Sequence, residues 1–267
     1  MNLDGFGSVL RLLRVRTPEQ RVWRLGRGHP RSRVRLHPIF AGDSREWMRS
    51  HRKALLVRTS PPLVLNPKPR SCFRIALTGG PGGGKTTAAD LFRREIGERV
   101  VIVPEAATIV FQGGFPRSRE PQALRHAQTC IFHVQRNLED FQASLFPGRT
   151  LLCDRGTVDG AAYWPGEPHH YFNAVGTTLT AELERYDAVI FFETAAVGGA
   201  SIEGGNPIRN ESLDEAVALD GRLRALWSRH PLFVLVPNNP SFFKKITFGL
   251  AALESIVSQL GSARARR

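Results

Sequence analysis

Short apolar runs alternate with segments of helical spacing from residue 73 onward. The runs predict five strands, over residues 73–77, 100–103, 150–153, 187–192 and 232–236. Each run is almost entirely apolar, as in strands that are covered on both faces. Strands that alternate with helices form a parallel sheet with helices on both sides. We therefore predict an α/β fold built on a five-stranded parallel sheet.

The segments between the strands carry apolar residues every three or four positions. A first helix follows Thr86 and ends at Gly97, and a last helix begins near Ser241 and ends at Gly261. The longest helix begins at Pro121, and its apolar positions are Leu124, Ala127, Ile131, Val134, Leu138, Phe141 and Leu145. This spacing places them on one face. We interpret that face as packing along the sheet, with a coiled coil as the alternative.

A glycine-rich stretch follows the first predicted strand. Gly79, four further residues, Gly84, Lys85 and Thr86 match the pattern of a phosphate-binding loop, or P-loop. Glycines let several backbone N–H groups point at one phosphate, and the following helix adds its positive N-terminus. In such loops the lysine reaches the β- and γ-phosphates and the hydroxyl ligates Mg²⁺. We expect nucleotide contacts from Gly79, Gly80, Pro81, Gly82, Gly83, Gly84, Lys85, Thr86 and Thr87.

Three further charged residues follow predicted strands. Glu105 follows the second strand, and Asp154 and Arg155 follow the third. Ligands bind beyond the carboxyl ends of parallel strands, so these residues should lie near the P-loop. We expect Asp154 to hold Mg²⁺ together with Thr86, and Glu105 to accept a proton from an acceptor hydroxyl or to orient it. No second acid follows Asp154, which favours transfer to a bound substrate over hydrolysis-driven motion.

Two arginines are candidates to neutralise charge on a transferring phosphoryl group. They are Arg155 and Arg209, and Arg209 follows a glycine-rich stretch that suits a mobile lid. The alternative role of each arginine is an ordinary surface ion pair, and that of Asp154 is a helix or turn cap. Asp159 is close enough in sequence to face the same site, but we interpret it as lying outside.

Charge is distributed unevenly along the 267 residues. Residues 1–70 contain 16 Lys and Arg against 4 Asp and Glu, whereas residues 71–267 contain 21 against 20. Of the net charge of +13, the first segment therefore carries +12, and the near-neutral remainder is not expected to bind nucleic acid. Three cysteines without CxxC spacing predict reduced thiols and a cytoplasmic protein.

These patterns divide the chain into three parts. They predict a basic arm over residues 1–70, a nucleotide-binding domain over 71–261 and a basic tail over 262–267. Frequent arginines and prolines predict that the arm is disordered. Two alternatives stay open for it, a translation start assigned too early and an electrostatic tether to anionic lipid or RNA. A targeting peptide is a third, although the arm is poor in serine.

Five stretches together resemble a known family. They read LTGGPGGGKTT, VPEAATIVFQGG, CDRGTVDGAAYW, RYDAVIFFETAA and RNESLDEAVALD. They resemble the NadR/Ttd-like AAA domain family, which includes the ribosylnicotinamide kinase part of NadR proteins and an insect trafficking protein that binds GTP and phosphoinositides. The resemblance implies a P-loop kinase-like fold with strand order 2-3-1-4-5. It also implies that residues 79–87 bind nucleotide, that Asp154 and Arg155 lie at the phosphate or acceptor site, and that Arg209 lies on a lid.

The residues and the resemblance lead to one functional hypothesis and one alternative. We expect a Mg²⁺-dependent protein that binds ATP, with GTP as the alternative nucleotide, and that transfers phosphate to a small hydroxyl or nucleoside-like acceptor. The alternative is a nucleotide-switched protein with little turnover that associates with anionic phospholipids. Nucleotide binding is common to both, so phosphorylation of an acceptor is what separates them.

Overall fold

The computed structural model describes residues 72–199 and 212–265. The predicted basic arm, the candidate lid residue Arg209 and the last two residues of the predicted tail lie outside these ranges. Within them, no helix is both long and apolar enough to cross a membrane. The three cysteines are free thiols, as predicted.

Five parallel strands form one sheet in the described part of the chain. They are β1 (Phe73–Thr78), β2 (Val100–Val103), β3 (Thr150–Asp154), β4 (Ala188–Phe192) and β5 (Phe233–Val236). Their order is β2-β3-β1-β4-β5, and each neighbouring pair is parallel. This is the order that the resemblance implied. It puts β1 between β3 and β4, so the loop after β1 lies beside the carboxyl ends of both.

Helices cover both faces of the sheet. They are α1 (Lys85–Ile96), α2 (Ala106–Gln112), α3 (Pro121–Leu145), α4 (Gly160–Tyr163), α5 (Pro168–Ala174), α6 (Leu179–Leu183), α7 (Leu213–Trp227) and α8 (Phe242–Ala265). One core includes Phe92 of α1 and Leu253 of α8, and the opposite core includes Phe132 of α3 and Trp227 of α7. Both cores receive side chains of β4, because successive residues of a strand point to opposite faces. The predicted α/β fold is confirmed.

Helix α3 packs against the sheet, as predicted, but the end of its predicted apolar face does not. Phe141 and Leu145, at the end of the predicted apolar face, are 59% and 55% exposed. The residues of α3 that are buried are Ala127, Gln128, Phe132, Gln135, Glu139 and Ala143. Two of these polar side chains can be buried because they have hydrogen-bond partners outside the helix: Gln135 donates to the carbonyl oxygen of Arg155, and Glu139 accepts from the Tyr186 hydroxyl. The stripe of α3 that faces the core is therefore partly polar.

The predicted end of the last helix is also wrong. Helix α8 continues past Gly261 to Ala265. A glycine inside a helix costs only about 1 kcal/mol relative to alanine. That cost does not end a helix of 24 residues whose apolar side chains pack against the sheet. Residues 262–265 of the predicted tail are consequently helical.

Candidate functional site

The P-loop between β1 and α1 packs tightly against its neighbours. Gly79 has a φ of 130°, and a Cβ on it would lie 2.0 Å from the carbonyl oxygen of Phe192. A Cβ on Gly80 would lie 2.5 Å from Asp220 Oδ1. Both distances are too short for a real contact, so a larger residue at either position would displace the loop. The fold therefore requires Gly79, which the motif also requires, and Gly80, which occupies a variable position of the motif.

Lys85 begins α1 and is buried against the P-loop. Its Nζ donates hydrogen bonds to the carbonyl oxygens of Gly79 (2.8 Å) and Gly80 (2.7 Å). The other predicted nucleotide contacts lie in the same loop or in the first turn of α1, and they are Pro81, Gly82, Gly83, Gly84, Thr86 and Thr87. A positive side chain and the N-terminus of a 12-residue helix thus meet at one loop. This combination attracts phosphate.

Thr86 and Asp154 meet across the gap between α1 and β3. The Thr86 hydroxyl donates a hydrogen bond to Asp154 Oδ2 (2.7 Å). The other carboxylate oxygen, Oδ1, is buried and has no hydrogen-bond partner among the described residues. Burial raises the pKa of the Asp154 carboxyl, and the negative charge of Glu105 raises it further.

These two residues fit Mg²⁺. The ion prefers oxygen ligands and usually takes one or two from protein, completing its octahedron with water and substrate phosphates. A hydroxyl beside a carboxylate oxygen without a partner supplies such ligands. No cluster of three or more His, Cys, Asp or Glu that could hold a metal occurs in the described ranges.

Glu105 lies at the start of α2 and forms an ion pair with Arg155. Arg155 Nε donates to Glu105 Oε1, and the Thr108 hydroxyl donates to Glu105 Oε2 (2.5 Å). Burial raises the pKa of Glu105, but the charge of Arg155 and the Thr108 hydrogen bond outweigh burial and lower it to about 2. A carboxylate with so low a pKa is a weak proton acceptor while it stays paired. Of the two predicted roles, orienting a hydroxyl fits this geometry better.

Arg155 has a backbone conformation that is rare for a side-chain-bearing residue. Its φ of 72° is the only positive value of a non-glycine residue in the described ranges. Its N–H donates to the carbonyl oxygen of Leu77 (2.9 Å). Besides Glu105, its guanidinium contacts Asp159 Oδ2 (3.4 Å) and the Tyr163 hydroxyl (3.5 Å). Arg155 and Asp154 are consecutive, yet their side chains contact different groups.

Asp159 lies in the site, so our interpretation that it lies outside is wrong. Its Oδ1 accepts hydrogen bonds from the Thr78 hydroxyl (2.9 Å) and from Trp227 Nε1 (2.7 Å), and its Oδ2 pairs with Arg155. Burial raises the pKa of Asp159, and the charge of Arg155 opposes that shift. Nearness to Asp154 in sequence was the only signal for it. The residues that hold it lie far away along the chain.

Asp220 of α7 is a further site residue that sequence reasoning missed. Its Oδ1 accepts hydrogen bonds from the N–H groups of Gly80 (2.8 Å) and Thr194 (2.9 Å). It therefore ties the P-loop to the segment after β4. The available signal was an acid four residues after Ala216, which is a buried apolar position of the same helix.

A cavity of about 850 Å³ opens beside these residues. Pro81 of the P-loop lines it, together with Glu105, Arg155 and Asp159. Aromatic side chains form other walls, and they are Phe111, Phe132, Tyr163, Trp164 and Tyr171. Gln128 also lines the cavity; it is 7% exposed, and its side chain makes no hydrogen bond to a described residue. The volume is that of a small-molecule site.

Comparison with known proteins places this site in a family. A family model described as an AAA domain matches residues 74–243, more than half of the chain. The chain belongs to this AAA-domain family. No curated protein matches the chain.

Solved structures are similar to this AAA domain in fold. One is deoxyadenosine kinase from M. mycoides with bound dATP, at 14% identity and a TM-score of 0.51, covering 68% of this chain and 100% of that chain. Another is NadR protein in complex with NAD and AMP-PNP, at 12% identity and a TM-score of 0.49, covering 70% of this chain and 50% of that chain. The family match shows the AAA domain and the first similarity shows a kinase-like fold, both of which the resemblance implied.

Within the AAA domain, the predicted site residues fall into two groups. Lys85, Thr86 and Asp154 lie at the P-loop. Glu105 and Arg155 line the cavity. The sequence predicted all five, whereas the separation of Asp154 from Arg155 appears only in the structure.

Proposed function

We propose that this AAA domain binds a Mg²⁺–nucleoside triphosphate at residues 79–87 and transfers its γ-phosphoryl group to a hydroxyl of a small acceptor in the cavity. The observation that carries the proposal is the divergence of Asp154 and Arg155. Asp154 contacts Thr86 at the P-loop, while Arg155 pairs with Glu105 in the cavity wall. Two consecutive residues thus connect a phosphate site to a small-molecule cavity. A protein that only switches with nucleotide needs no such cavity at this place.

The P-loop holds the donor. Backbone N–H groups of the loop and Lys85 bind the phosphates, while the Thr86 hydroxyl and Asp154 Oδ1 hold Mg²⁺. Mg²⁺ held by these residues would neutralise part of the charge that develops on the phosphates during transfer. ATP is the nucleotide that we propose, and GTP is the alternative that the same assay tests.

The cavity holds the acceptor with its hydroxyl at Glu105. In the transfer, the acceptor oxygen bonds to the γ-phosphorus, the bond from that phosphorus to the β–γ bridging oxygen breaks, and the nucleoside diphosphate leaves. Arg155 turns from Glu105 toward the γ-phosphoryl oxygens and neutralises them. Because Arg155 is what lowers the pKa of Glu105 most strongly, its departure raises that pKa. Glu105 then becomes able to take the proton that the hydroxyl loses.

The walls of the cavity favour a planar, nucleoside-like acceptor. Aromatic rings such as Phe132 and Trp164 stack on planar groups. The side chain of Gln128, buried without a partner in the described ranges, offers a donor and an acceptor to the edge of such a group. The similarity in fold to a deoxyadenosine kinase supports the same acceptor class.

The test is transfer of label from γ-labelled ATP or GTP to a panel of nucleosides and sugars, with the full chain. We expect one acceptor class to become labelled, and Lys85→Ala to abolish the labelling. Gln128→Met should raise the acceptor KM while leaving the affinity for ATP unchanged. The opposite result is slow release of inorganic phosphate alone, with binding to anionic vesicles only in the triphosphate state. That result would favour the nucleotide-switched protein.

A further inference from the structure

Buried polar side chains of α3 connect this helix by hydrogen bonds to the segment that carries Arg155. Glu139 is fully buried and Gln135 is 2% exposed. Buried polar groups are rarely kept without partners, because losing water without a replacement hydrogen bond is unfavourable. The hydrogen-bond partners of these two side chains therefore indicate which part of the structure they stabilise.

Glu139 is the centre of a buried hydrogen-bond network. Its Oε1 accepts hydrogen bonds from Gln135 Nε2 (3.0 Å) and from the Tyr186 hydroxyl (2.6 Å). Its Oε2 accepts one from the Arg185 guanidinium (2.7 Å). Charge-assisted hydrogen bonds of this kind hold the side chains that make them in one arrangement.

Two members of the network reach the segment after β3. Gln135 Nε2 also donates to the carbonyl oxygen of Arg155 (3.3 Å). The Tyr186 hydroxyl accepts a hydrogen bond from the N–H of Thr157 (2.8 Å). Glu139 thus holds the backbone on both sides of Gly156. Other hydrogen bonds also support this segment: the N–H of Arg155 donates to the carbonyl oxygen of Leu77 (2.9 Å), and the Tyr171 hydroxyl donates to that of Thr157 (2.8 Å).

This support falls on a strained residue. A positive φ is unfavourable for any residue with a Cβ, and it persists only where the surroundings enforce it. Arg155 has this positive φ while its guanidinium pairs with Glu105 and Asp159. Without the Gln135 amide, the carbonyl oxygen of Arg155 would lose this hydrogen bond. The backbone could then leave the left-handed conformation, and the guanidinium would no longer be held beside Glu105.

We propose that Gln135 and Glu139 are positioning residues. They hold the backbone of Arg155 in its left-handed conformation and so keep its guanidinium beside Glu105, from where it turns to the reacting phosphoryl group. The catalytic part of this inference rests on the proposed phosphoryl transfer; the structural part does not. Glu139 is fully buried and acts only through its neighbours. Gln135 also lines the cavity, so the Arg155→Met background described below separates an effect through Arg155 from a contact with the acceptor.

The decisive variant is Gln135→Met, which keeps the length of the side chain and removes its amide. The matched control is Gln142→Met on the same helix, because Gln142 Oε1 has no hydrogen-bond partner in the described ranges. In the full chain, Gln135→Met should lower kcat for acceptor phosphorylation by about 10- to 100-fold, as expected of a misdirected group, with ATP affinity within about twofold. Gln142→Met should leave kcat unchanged. A merely structural role would lower the melting temperature without changing kcat per folded molecule.

A double-variant cycle shows whether the effect passes through Arg155. In the Arg155→Met background, Gln135→Met should cause no further loss of kcat. Losses that multiply in the double variant would overturn the proposal, as would an equal loss from Gln142→Met.

One readout needs no acceptor. The Arg155 Nε–H signal in a nitrogen–proton NMR spectrum, assigned by its loss in Arg155→Met, should be displaced by the pairing with Glu105. In Gln135→Met and in Tyr186→Phe, the chemical shift of this signal should move to that of exposed arginines. In Gln142→Met it should be unchanged. An unmoved signal would refute the positioning role. If the unmodified protein labels no acceptor, the transfer proposal fails, and this signal decides the positioning role alone.

Discussion

Replacing Glu105 with Gln should destabilise the protein more at neutral pH than at acidic pH, because the ion pair with Arg155 lowers the pKa of Glu105. The folded pKa of Glu105 is about 2, against an ordinary value of 4.5. Because the folded value is the lower one, the pair stabilises the protein above pH 4.5, and this stabilisation is lost as the pH falls toward 2. The difference corresponds to about 3 kcal/mol at neutral pH. The side chain is 16% exposed, so solvent screens the pair only weakly.

The magnitude is an upper limit, because Asp154 acts in the opposite direction. Glu105 raises the pKa of Asp154, so that its replacement relieves part of the cost of the buried Asp154 charge. We therefore expect Glu105→Gln to lower the free energy of unfolding at pH 7 by up to about 3 kcal/mol. As the pH falls from 7 to about 3.5, the difference in free energy of unfolding between the variant and the unmodified protein should decrease by roughly 1 kcal/mol.

Urea unfolding at several pH values measures this gap. The control is Glu98→Gln, since Glu98 forms an exposed ion pair with Arg149 (2.8 Å) and is itself 90% exposed. Such a surface pair should contribute less than about 1 kcal/mol, so the control should follow the unmodified protein at every pH. A gap for Glu105→Gln that stays constant from pH 7 to about pH 3.5 would refute the reasoning, because it would mean that Arg155 does not perturb Glu105.

Three further predictions test the loop, the packing of α3 and the domain boundary. Lys85→Ala should weaken ATP binding by about 10- to 100-fold in calorimetry while the variant still unfolds cooperatively, and unchanged affinity would contradict the P-loop assignment. Phe132→Ala should lower the free energy of unfolding by about 3–5 kcal/mol, and Phe141→Ala by less than about 0.5 kcal/mol. Equal losses would mean that α3 packs as its apolar spacing suggests. A truncated chain that begins at Ser71 should melt cooperatively and bind ATP as the full chain does, and loss of cooperative melting would show that residues 1–70 belong to the folded unit.

The sheet and the P-loop were predictable because their signals are local. Each strand is an apolar run bounded by polar residues, and the predicted ends agree with the observed ones to within one residue. The P-loop is a contiguous pattern whose context, a strand before and a helix after, is also contiguous. The side chains at the carboxyl ends of β2 and β3 followed from strand direction alone.

The polar interior could not be predicted in the same way, because its partners lie far apart in the chain. Glu139 is buried on account of Arg185 and Tyr186, which lie 46 and 47 residues later. Asp159 is held by Thr78 and Trp227, at separations of 81 and 68 residues. The spacing of apolar residues predicts which face of a helix is apolar. It does not predict a hydrogen bond between side chains that come together only in the folded chain.

The helix α3 shows the consequence most clearly. Its apolar residues do lie on one face, but the face that packs against the core is displaced from it toward Gln135 and Glu139. The network around Glu139 outweighs the exposure of Phe141 and Leu145 at the end of the helix. A helix with a buried acid therefore needs its partners identified before its orientation can be assigned.

In the proposed transfer, Asp154 serves the metal and the phosphates, and Glu105 serves the acceptor. Titration of ATP affinity with Mg²⁺ distinguishes these two roles when the unmodified protein, Asp154→Asn and Glu105→Gln are measured side by side. We predict that Asp154→Asn raises the Mg²⁺ concentration needed for tight ATP binding by about 10- to 100-fold, whereas Glu105→Gln changes it by less than about threefold. Equal shifts in the two variants would show that both carboxylates share the metal, and would contradict the assignment of Glu105 to the acceptor.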